Sequence, residues 1–340
     1  MNLSAGYQPA DSLISELSLA RSLLEAQNLS GILPVGVGYL GWLLDKMPFQ
    51  EAESLLIAAL TANVQAFWFS FGSDLGKWIR YVRENSSGKS PLIFVQVNSL
   101  EEAVYAVENL EADIIVAQGI ESGGHGGSYA PPLFDLLQSI LEHPFGSSPR
   151  PVVLAAGGLA NGADIALQLT LGAAGVVMGT RFLLSPESKY TDAQREALIA
   201  ANTEDTVRTV AFDQARGTID WPEGIDGRGL RNGEFLTRDP YFTFLLEGAD
   251  PCSLSFTAQS GSNSEKLNSL MALDTVSDFE QGVSLELIQS KFKEGTRTQD
   301  RRRFLVWAGT GVGLMNRIMP AKDVVQELHQ ECQQHLAKLS

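Results

Sequence analysis

The feature that most constrains the fold is a regular alternation of short apolar runs and amphipathic segments over the first 185 residues. The apolar runs have the length and the β-branched or aromatic content of strands, and the segments between them have helical periodicity. This alternation predicts an α/β fold, in which crossover helices join parallel strands that are buried on both faces. About seven strands are predicted, at residues 3–7, 32–39, 66–71, 92–97, 113–117, 151–156 and 172–178.

The predicted strand at 113–117 is followed by a glycine-rich segment, Gln118–Gly127, which contains one of the four histidines, His125. Its glycines allow the backbone to approach a flat or charged ligand closely. An α/β enzyme can use such a flexible loop, with its imidazole, to present a reactive group to a bound cofactor. The alternative is a mobile turn with an incidental surface histidine, and this segment alone fits both interpretations.

Two further predicted strands also end in small residues. The run Pro151–Ala160 contains a pair of glycines, and the run Gly172–Phe182 ends its strand at Gly179 and Thr180. Glycine loops beside a helix present backbone N–H groups to a phosphate without a basic side chain. In a (β/α)8 barrel the loops after strands seven and eight are the common phosphate site. The alternative is that both turns need glycine only for close packing.

Length and charge narrow the class of protein. A chain of 340 residues with 44% hydrophobic content is long enough for an α/β barrel with insertions. The net charge of −15 argues against nucleic acid or an anionic membrane as a partner, because both require a basic surface. Cys252 and Cys332 match no metal or disulfide spacing. Without a spanning apolar run or a signal peptide, we expect a soluble cytoplasmic protein.

The pattern changes after the last predicted strand. Turn-rich and polar stretches replace the regular alternation, and a closing helix is predicted near the end of the chain. We therefore divide the chain into a barrel at 1–185, a mostly helical and loop insertion or lid at 186–300, and a C-terminal segment at 301–340 that returns to the barrel.

Taken together, these segments resemble the nitronate monooxygenase family, formerly called 2-nitropropane dioxygenases, whose members are FMN enzymes on a TIM-barrel scaffold. The most specific part is Gln118–His125, where the family shows Gln-Gly-x-Glu-Ala-Gly-Gly-His and this chain has Ser122 in place of the usual alanine. Other matching segments are Ala155–Gly158, Gly172–Phe182, Thr206–Thr209, Trp221–Glu223 and Ala308–Leu314. The last three resemble fungal members in particular.

The resemblance implies an FMN-dependent monooxygenase that oxidises nitronates or nitroalkanes, or a related small organic acid, with O2. It implies that His125 is the catalytic general base that removes the proton α to a nitro group, a role that suits a neutral imidazole. It implies no metal site. The implied cofactor-binding residues are Gln118 and Gly123 at the flavin ring or ribityl chain, and Gly158, Val177, Met178, Gly179 and Thr180 at the phosphate.

Two departures from the family pattern affect the flavin site. Members open with a strand that ends in Ala-Pro-Met, whose backbone lies against the flavin, and this tripeptide does not occur in the chain. The chain starts where the second strand of the family is expected, so we expect an N-terminally shortened barrel with two open edges. Gly36 and Gly38 stand near the position of an asparagine in many relatives, so a flavin contact there has to come from the backbone.

Two alternatives follow from the same residues. Flavin enoyl reductases of this superfamily share a closely similar Glu-x-Gly-Gly-His loop, so His125 alone does not separate the two activities. Gln118 and the fungal-like segments favour the monooxygenase. The absent Ala-Pro-Met strand motivates the second alternative, a non-catalytic barrel that has lost FMN and serves as an accessory or binding protein.

Overall fold

The centre of the structure, a computed structural model, is a parallel sheet of seven strands. The structure describes residues 2–25, 31–88, 90–146, 150–231, 274–300 and 302–338. In chain order the strands are β1 (Asn2–Ser4), β2 (Leu33–Leu40), β3 (Val64–Ser70), β4 (Leu92–Val97), β5 (Ile114–Gln118), β6 (Gly124–Gly127), β7 (Val152–Ala156), β8 (Gly175–Val177), β9 (Thr206–Thr209) and β10 (Ile225–Leu230). The parallel sheet has the order β1-β2-β3-β4-β5-β7-β8.

Helices connect the successive strands of this sheet, which makes it an α/β barrel of the TIM type. The sheet curls as a half-barrel. In chain order the helices are α1 (Ala10–Glu25), α2 (Gly41–Lys46), α3 (Phe49–Thr61), α4 (Leu75–Asn85), α5 (Leu100–Glu108), α6 (Leu133–Glu142), α7 (Gly162–Leu171), α8 (Thr180–Leu183), α9 (Asp192–Ala200), α10 (Ala211–Arg216), α11 (Thr275–Glu280), α12 (Leu285–Thr298) and α13 (Ala321–Ala337). Two 3₁₀ helices lie at Thr203–Asp205 and Thr310–Leu314.

The core lies between the sheet and its helices. Alternate strand residues such as Val37, Phe67 and Ile115 are fully buried there, because successive side chains of a strand point to opposite faces. The residues between them, such as Trp68 and Phe94, face the other side of the sheet and are partly exposed. The large buried side chains therefore fix the side on which the helices pack.

The predicted alternation of strands and helices is confirmed in its order. All neighbours in the sheet are parallel, for example Phe67 opposite Ile93 and Ala155 opposite Val176. Within the described ranges β1 pairs only with β2 and β8 pairs only with β7. Both outer edges of the sheet are therefore open in this part of the chain, as expected for a sheet of seven rather than eight strands.

A second, antiparallel sheet of order β6-β10-β9 was not predicted. The glycine-rich segment around His125, expected to be a flexible loop, forms β6 and pairs with β10, with His125 opposite Gly227. β10 lies inside a turn-rich region, and because of its glycines it lacks the alternation of apolar and polar residues that identifies a strand. After β8, where the sequence predicts helices and loops, the structure also has the strands β9 and β10. Residues 232–273 of the predicted insertion lie outside the described residues.

Among the helices of the described ranges, we find no segment with the length and apolar character that a bilayer span requires.

Candidate active site

Three glycine-containing loops meet at the carboxyl edge of the parallel sheet. They follow β5, β7 and β8, which are neighbours in the sheet, and ligands of open α/β sheets bind at this edge. The loops surround a cavity of about 140 Å³. All seven predicted cofactor-binding residues line it, together with other small residues: the lining residues are Gln118, Ser122, Gly123, Ala156, Gly157, Gly158, Leu159, Val177, Met178, Gly179, Thr180, Gly309, Gly311 and Met315.

The loop after β7 requires glycine at two successive positions. Gly157 and Gly158 have positive φ values of 111° and 72°, which residues with a Cβ adopt only with strain. A Cβ on Gly158 would also lie 2.8 Å from the Cβ of Glu121. Asn161 then caps the start of α7, since its side chain accepts a hydrogen bond of 3.0 Å from the N–H of Asp164. The glycine pair thus turns the chain sharply from the strand into the helix.

Gly179, in the loop after β8, is open toward the cavity. Its φ of −106° is accessible to any residue, and a Cβ built on it meets no atom within 4 Å. Glycine is therefore not required here by the packing of the protein itself. The exposed backbone leaves room for a ligand to approach.

No lysine or arginine lines the cavity in the described part of the chain. Arg181, which follows directly, is buried and turned away: its guanidinium donates to the carbonyl oxygen of Arg317 at 3.2 Å and lies 3.5 Å from Glu327. The cavity volume of about 140 Å³ leaves room for a group of phosphate size. Such a group would be held by backbone N–H groups and the hydroxyl of Thr180.

The C-terminal segment supplies one wall of this cavity, which the sequence analysis did not predict. Gly309, Gly311 and Met315 line it, and the backbones approach so closely that a Cβ on Gly311 would overlap the carbonyl oxygen of Gly158. The N–H of Thr310 donates to the carbonyl oxygen of Glu121 at 3.0 Å. The small-residue run Ala308–Leu314 was a usable signal, because glycines in tandem indicate close backbone contact.

Tyr190 anchors this wall from behind. Its hydroxyl accepts a hydrogen bond of 2.9 Å from the N–H of Trp307. Burial raises the pKa of Tyr190, so its hydroxyl stays protonated at working pH. Trp307 is two positions before Gly309, the first residue of the wall.

Replacing Tyr190 by Phe is expected to lower the free energy of unfolding by about 1–3 kcal/mol, because the N–H of Trp307 would lose its partner in a partly buried place. Urea denaturation followed by fluorescence measures this loss. Tyr129→Phe is the matched control. Tyr129 is 92% exposed, so the loss of its hydroxyl should change the free energy of unfolding by less than about 0.5 kcal/mol. Equal stability of the two variants would contradict the anchoring role.

Gln118 connects the cavity to the strand of His125. Its side-chain oxygen accepts hydrogen bonds from Gln96 at 2.9 Å and from Asn98 at 3.0 Å, and its side-chain N–H donates to the carbonyl oxygen of His125 at 3.2 Å. These amides form a polar floor between β4, β5 and β6. Gly123, which lines the cavity, is only two residues from His125.

Two arginines of the second sheet hold the turn between β5 and β6. Arg208 donates to the carbonyl oxygens of Ile120 and Ser122, each at 3.3 Å, and Arg228 donates to that of Ile120 at 3.1 Å. Arg208 also pairs with Asp226 at 2.6 Å. This tethering explains why the glycine-rich segment is not the flexible loop that its composition predicts.

The imidazole of His125 is held by stacking on one face and by a carboxylate at one of its nitrogens. Its Nε2 lies 3.0 and 2.9 Å from the two carboxylate oxygens of Asp213. The ring of Trp221 stacks on it with 3.6 Å between centroids and 12° between planes, and Trp307 lies at 5.0 Å. The sequence analysis missed Asp213, which is 88 residues away in the chain, and no local pattern marks it.

Comparisons with known proteins agree with these findings. The sequence profile of the family described as "Nitronate monooxygenase" matches residues 57–331. The chain is similar to a nitronate monooxygenase of Neurospora crassa, with 28% identity over 98% of this chain and 81% of the relative. It is also similar to the nitronate monooxygenase npaC of Metarhizium robertsii, with 29% identity over 96% of this chain and 82% of the relative.

Solved structures share the fold. A nitroalkane oxidase from Streptomyces ansochromogenes has a TM-score of 0.66 and 24% identity, with all of this chain and 90% of the other covered. FabK from Thermotoga maritima has a TM-score of 0.64 and 24% identity, with 98% of this chain and 84% of the other covered. At these identities the likeness establishes the barrel architecture.

Proposed function

Because the chain belongs to the nitronate monooxygenase family, it is an oxidoreductase, and we propose that it oxidises nitronates or nitroalkanes with O2 using bound FMN. The observation that carries the proposal is that all seven predicted cofactor-binding residues line one cavity. His125 is not one of the residues that line it, but Gly123, which is, precedes it by two positions in the chain. A small-molecule substrate and O2 then meet the cofactor at the carboxyl edge of the sheet.

The residues of the cavity fit the phosphate of FMN. Gly158, Gly179 and Thr180 offer backbone N–H groups and a hydroxyl, and Val177 and Met178 complete that wall. Gln118 and Gly123 lie toward His125, where we propose that they contact the ribityl chain or the ring. Bound flavin supplies the redox chemistry with O2, and the protein supplies orientation and a site shielded from water.

We propose that His125 acts as the general base on neutral nitroalkanes. It accepts the proton from the carbon next to the nitro group, and the electron pair of that C–H bond moves into the nitro group to give the nitronate. A nitronate supplied ready-made already lacks this proton. The base is therefore needed for one substrate form and not for the other.

We also propose the division into a barrel at 1–185, a lid at 186–300 and a C-terminal segment at 301–340, and the described contacts support the return of the last segment to the barrel. α13 packs on α7 of the barrel. Gly309 and Gly311 then add to the wall of the cavity.

Purification of the full chain and its visible spectrum test this function. We expect a yellow protein that releases FMN on denaturation and consumes O2 when a nitronate is added. A colourless protein that does not take up added FMN would favour the non-catalytic alternative. NAD(P)H consumption with an enoyl thioester, and no reaction with a nitronate, would favour the enoyl reductase.

A further inference from the structure

The carboxylate of Asp213 approaches one nitrogen of His125 with both of its oxygens. The distances from Nε2 are 3.0 Å to Oδ1 and 2.9 Å to Oδ2. An ionised carboxylate only accepts hydrogen bonds, so Nε2 has to carry a hydrogen for this contact to be favourable. The opposite tautomer would place the lone pair of Nε2 against two negatively charged oxygens.

Asp213 is itself fixed in place. It lies in α10 with a side chain that is 5% exposed. The hydroxyl of Thr218 donates to Oδ1 at 2.8 Å, and a guanidinium nitrogen of Arg216 lies 3.9 Å from the same oxygen. A buried carboxylate is costly unless it is paired, and these partners together with His125 provide that pairing.

The contacts of the imidazole restrict the ring rotation that would exchange its two nitrogens. Trp221 covers one face at 3.6 Å with nearly parallel planes, and Trp307 lies beside the ring at 5.0 Å. Of the two ring nitrogens, only Nε2 takes part in a hydrogen bond within the described ranges. Nδ1 is the nitrogen that this arrangement leaves available.

We propose that Asp213 is a positioning residue that keeps neutral His125 protonated on Nε2, so that Nδ1 is the nitrogen that accepts the proton of the substrate. This inference rests on the base role proposed above for His125. In the proton transfer, the C–H bond next to the nitro group breaks, its electron pair forms the nitronate, and the proton binds the lone pair of Nδ1. The imidazolium then faces the carboxylate of Asp213, which balances its charge.

The tautomer can be measured directly and without turnover. A two-bond proton–nitrogen correlation spectrum of the 15N-labelled, FMN-loaded protein distinguishes a protonated ring nitrogen from one with a free lone pair. His125 is one of four histidines, so its signals are assigned by their absence in His125→Asn. We expect the hydrogen on Nε2 in the parent protein. A hydrogen on Nδ1 would overturn the inference and leave the proposed reaction standing.

Asp213→Asn provides the second arm of the test. If Thr218 keeps its hydrogen bond to the side-chain oxygen, the introduced amide turns its N–H toward Nε2 and favours the other tautomer. We expect the NMR signals to show this change, and turnover of a neutral nitroalkane to fall by about 10–10³-fold, while turnover of the preformed nitronate stays within about twofold.

A purely structural role of Asp213 gives different results. If the residue acts through His125, adding Asp213→Asn to His125→Asn should cause no further loss, because effects within one unit are not additive. A further loss, or equal losses on both substrates, would overturn the inference. Asp220→Asn removes the same charge at an exposed position nearby and should leave both activities unchanged. Absence of nitronate oxidation in the parent protein refutes the proposed function, whereas the NMR result still decides the tautomer.

Discussion

Replacing His125 by Asn is expected to lower turnover of a neutral nitroalkane by about 10²–10⁴-fold, the usual contribution of a general base. Turnover of the corresponding preformed nitronate should change little, because this substrate has already lost its proton. The measurement is O2 consumption with the same nitro compound, supplied once as the neutral form and once after equilibration in base. The ratio of the two rates reports the proton-transfer step alone.

The control for this variant has to separate chemistry from packing. Asn is smaller than an imidazole and cannot stack on Trp221 in the same way, so the FMN content and the unfolding temperature of the variant are compared with those of the parent protein. His329→Asn makes the same exchange at an exposed position of α13 and should leave both rates unchanged. An equal loss of turnover on the neutral nitroalkane and on the nitronate would contradict the role of His125 as a general base.

Replacing Gly179 by Val is expected to weaken FMN binding by about 10²–10⁴-fold. Gly179 lines the cavity, and a Cβ there meets no protein atom within 4 Å, so we expect the side chain to take the space of the proposed phosphate. Loss of two hydrogen bonds to a charged group at about 1.5–3 kcal/mol each gives a change of this size, since about 1.4 kcal/mol is a factor of ten. Fluorescence titration of the apoprotein with FMN measures it.

The structure makes Gly179 a sharper test position than Gly158. A valine at Gly158 would be strained at a φ of 72° and would collide with Glu121, so lost FMN could reflect local unfolding. Gly179 has neither problem, and the unfolding temperature of its apo variant should match that of the parent protein. Gly6→Val is a control outside the cavity, because a Cβ there meets only the hydroxyl of Ser4 at 3.2 Å. Unchanged FMN affinity in Gly179→Val would argue against a phosphate in this cavity.

The strands and the glycine loops could be predicted because their signals are local. Apolar runs such as Leu92–Val97 are long enough for a strand and too short for a helix, and helical segments flank them. Parallel strands also place all their carboxyl ends on one edge, so loops that are far apart in the chain meet there. The meeting of the loops at Gly158 and Gly179 in one place follows from these two facts.

The partners of His125 could not be predicted because their signals are not local. Asp213 reaches the imidazole from 88 residues away, and its helix of six residues has no feature that sets it apart. The strand Gly124–Gly127 consists almost entirely of glycine, so the alternation that identifies a strand is missing. Its pairing with Ile225–Leu230 gives it the conformation of a strand.

The wall formed by Gly309, Gly311 and Met315 links cofactor loading to the completion of folding. Since these residues complete a cavity whose other walls come from residues 118–180, a nascent chain that ends before residue 309 lacks one wall of the pocket proposed for FMN. Bound FMN would stabilise only the state in which this distant segment has docked, and it does so by mass action. If the proposed FMN is bound, its supply during synthesis would affect how much of the protein survives proteolysis, in addition to how much is active.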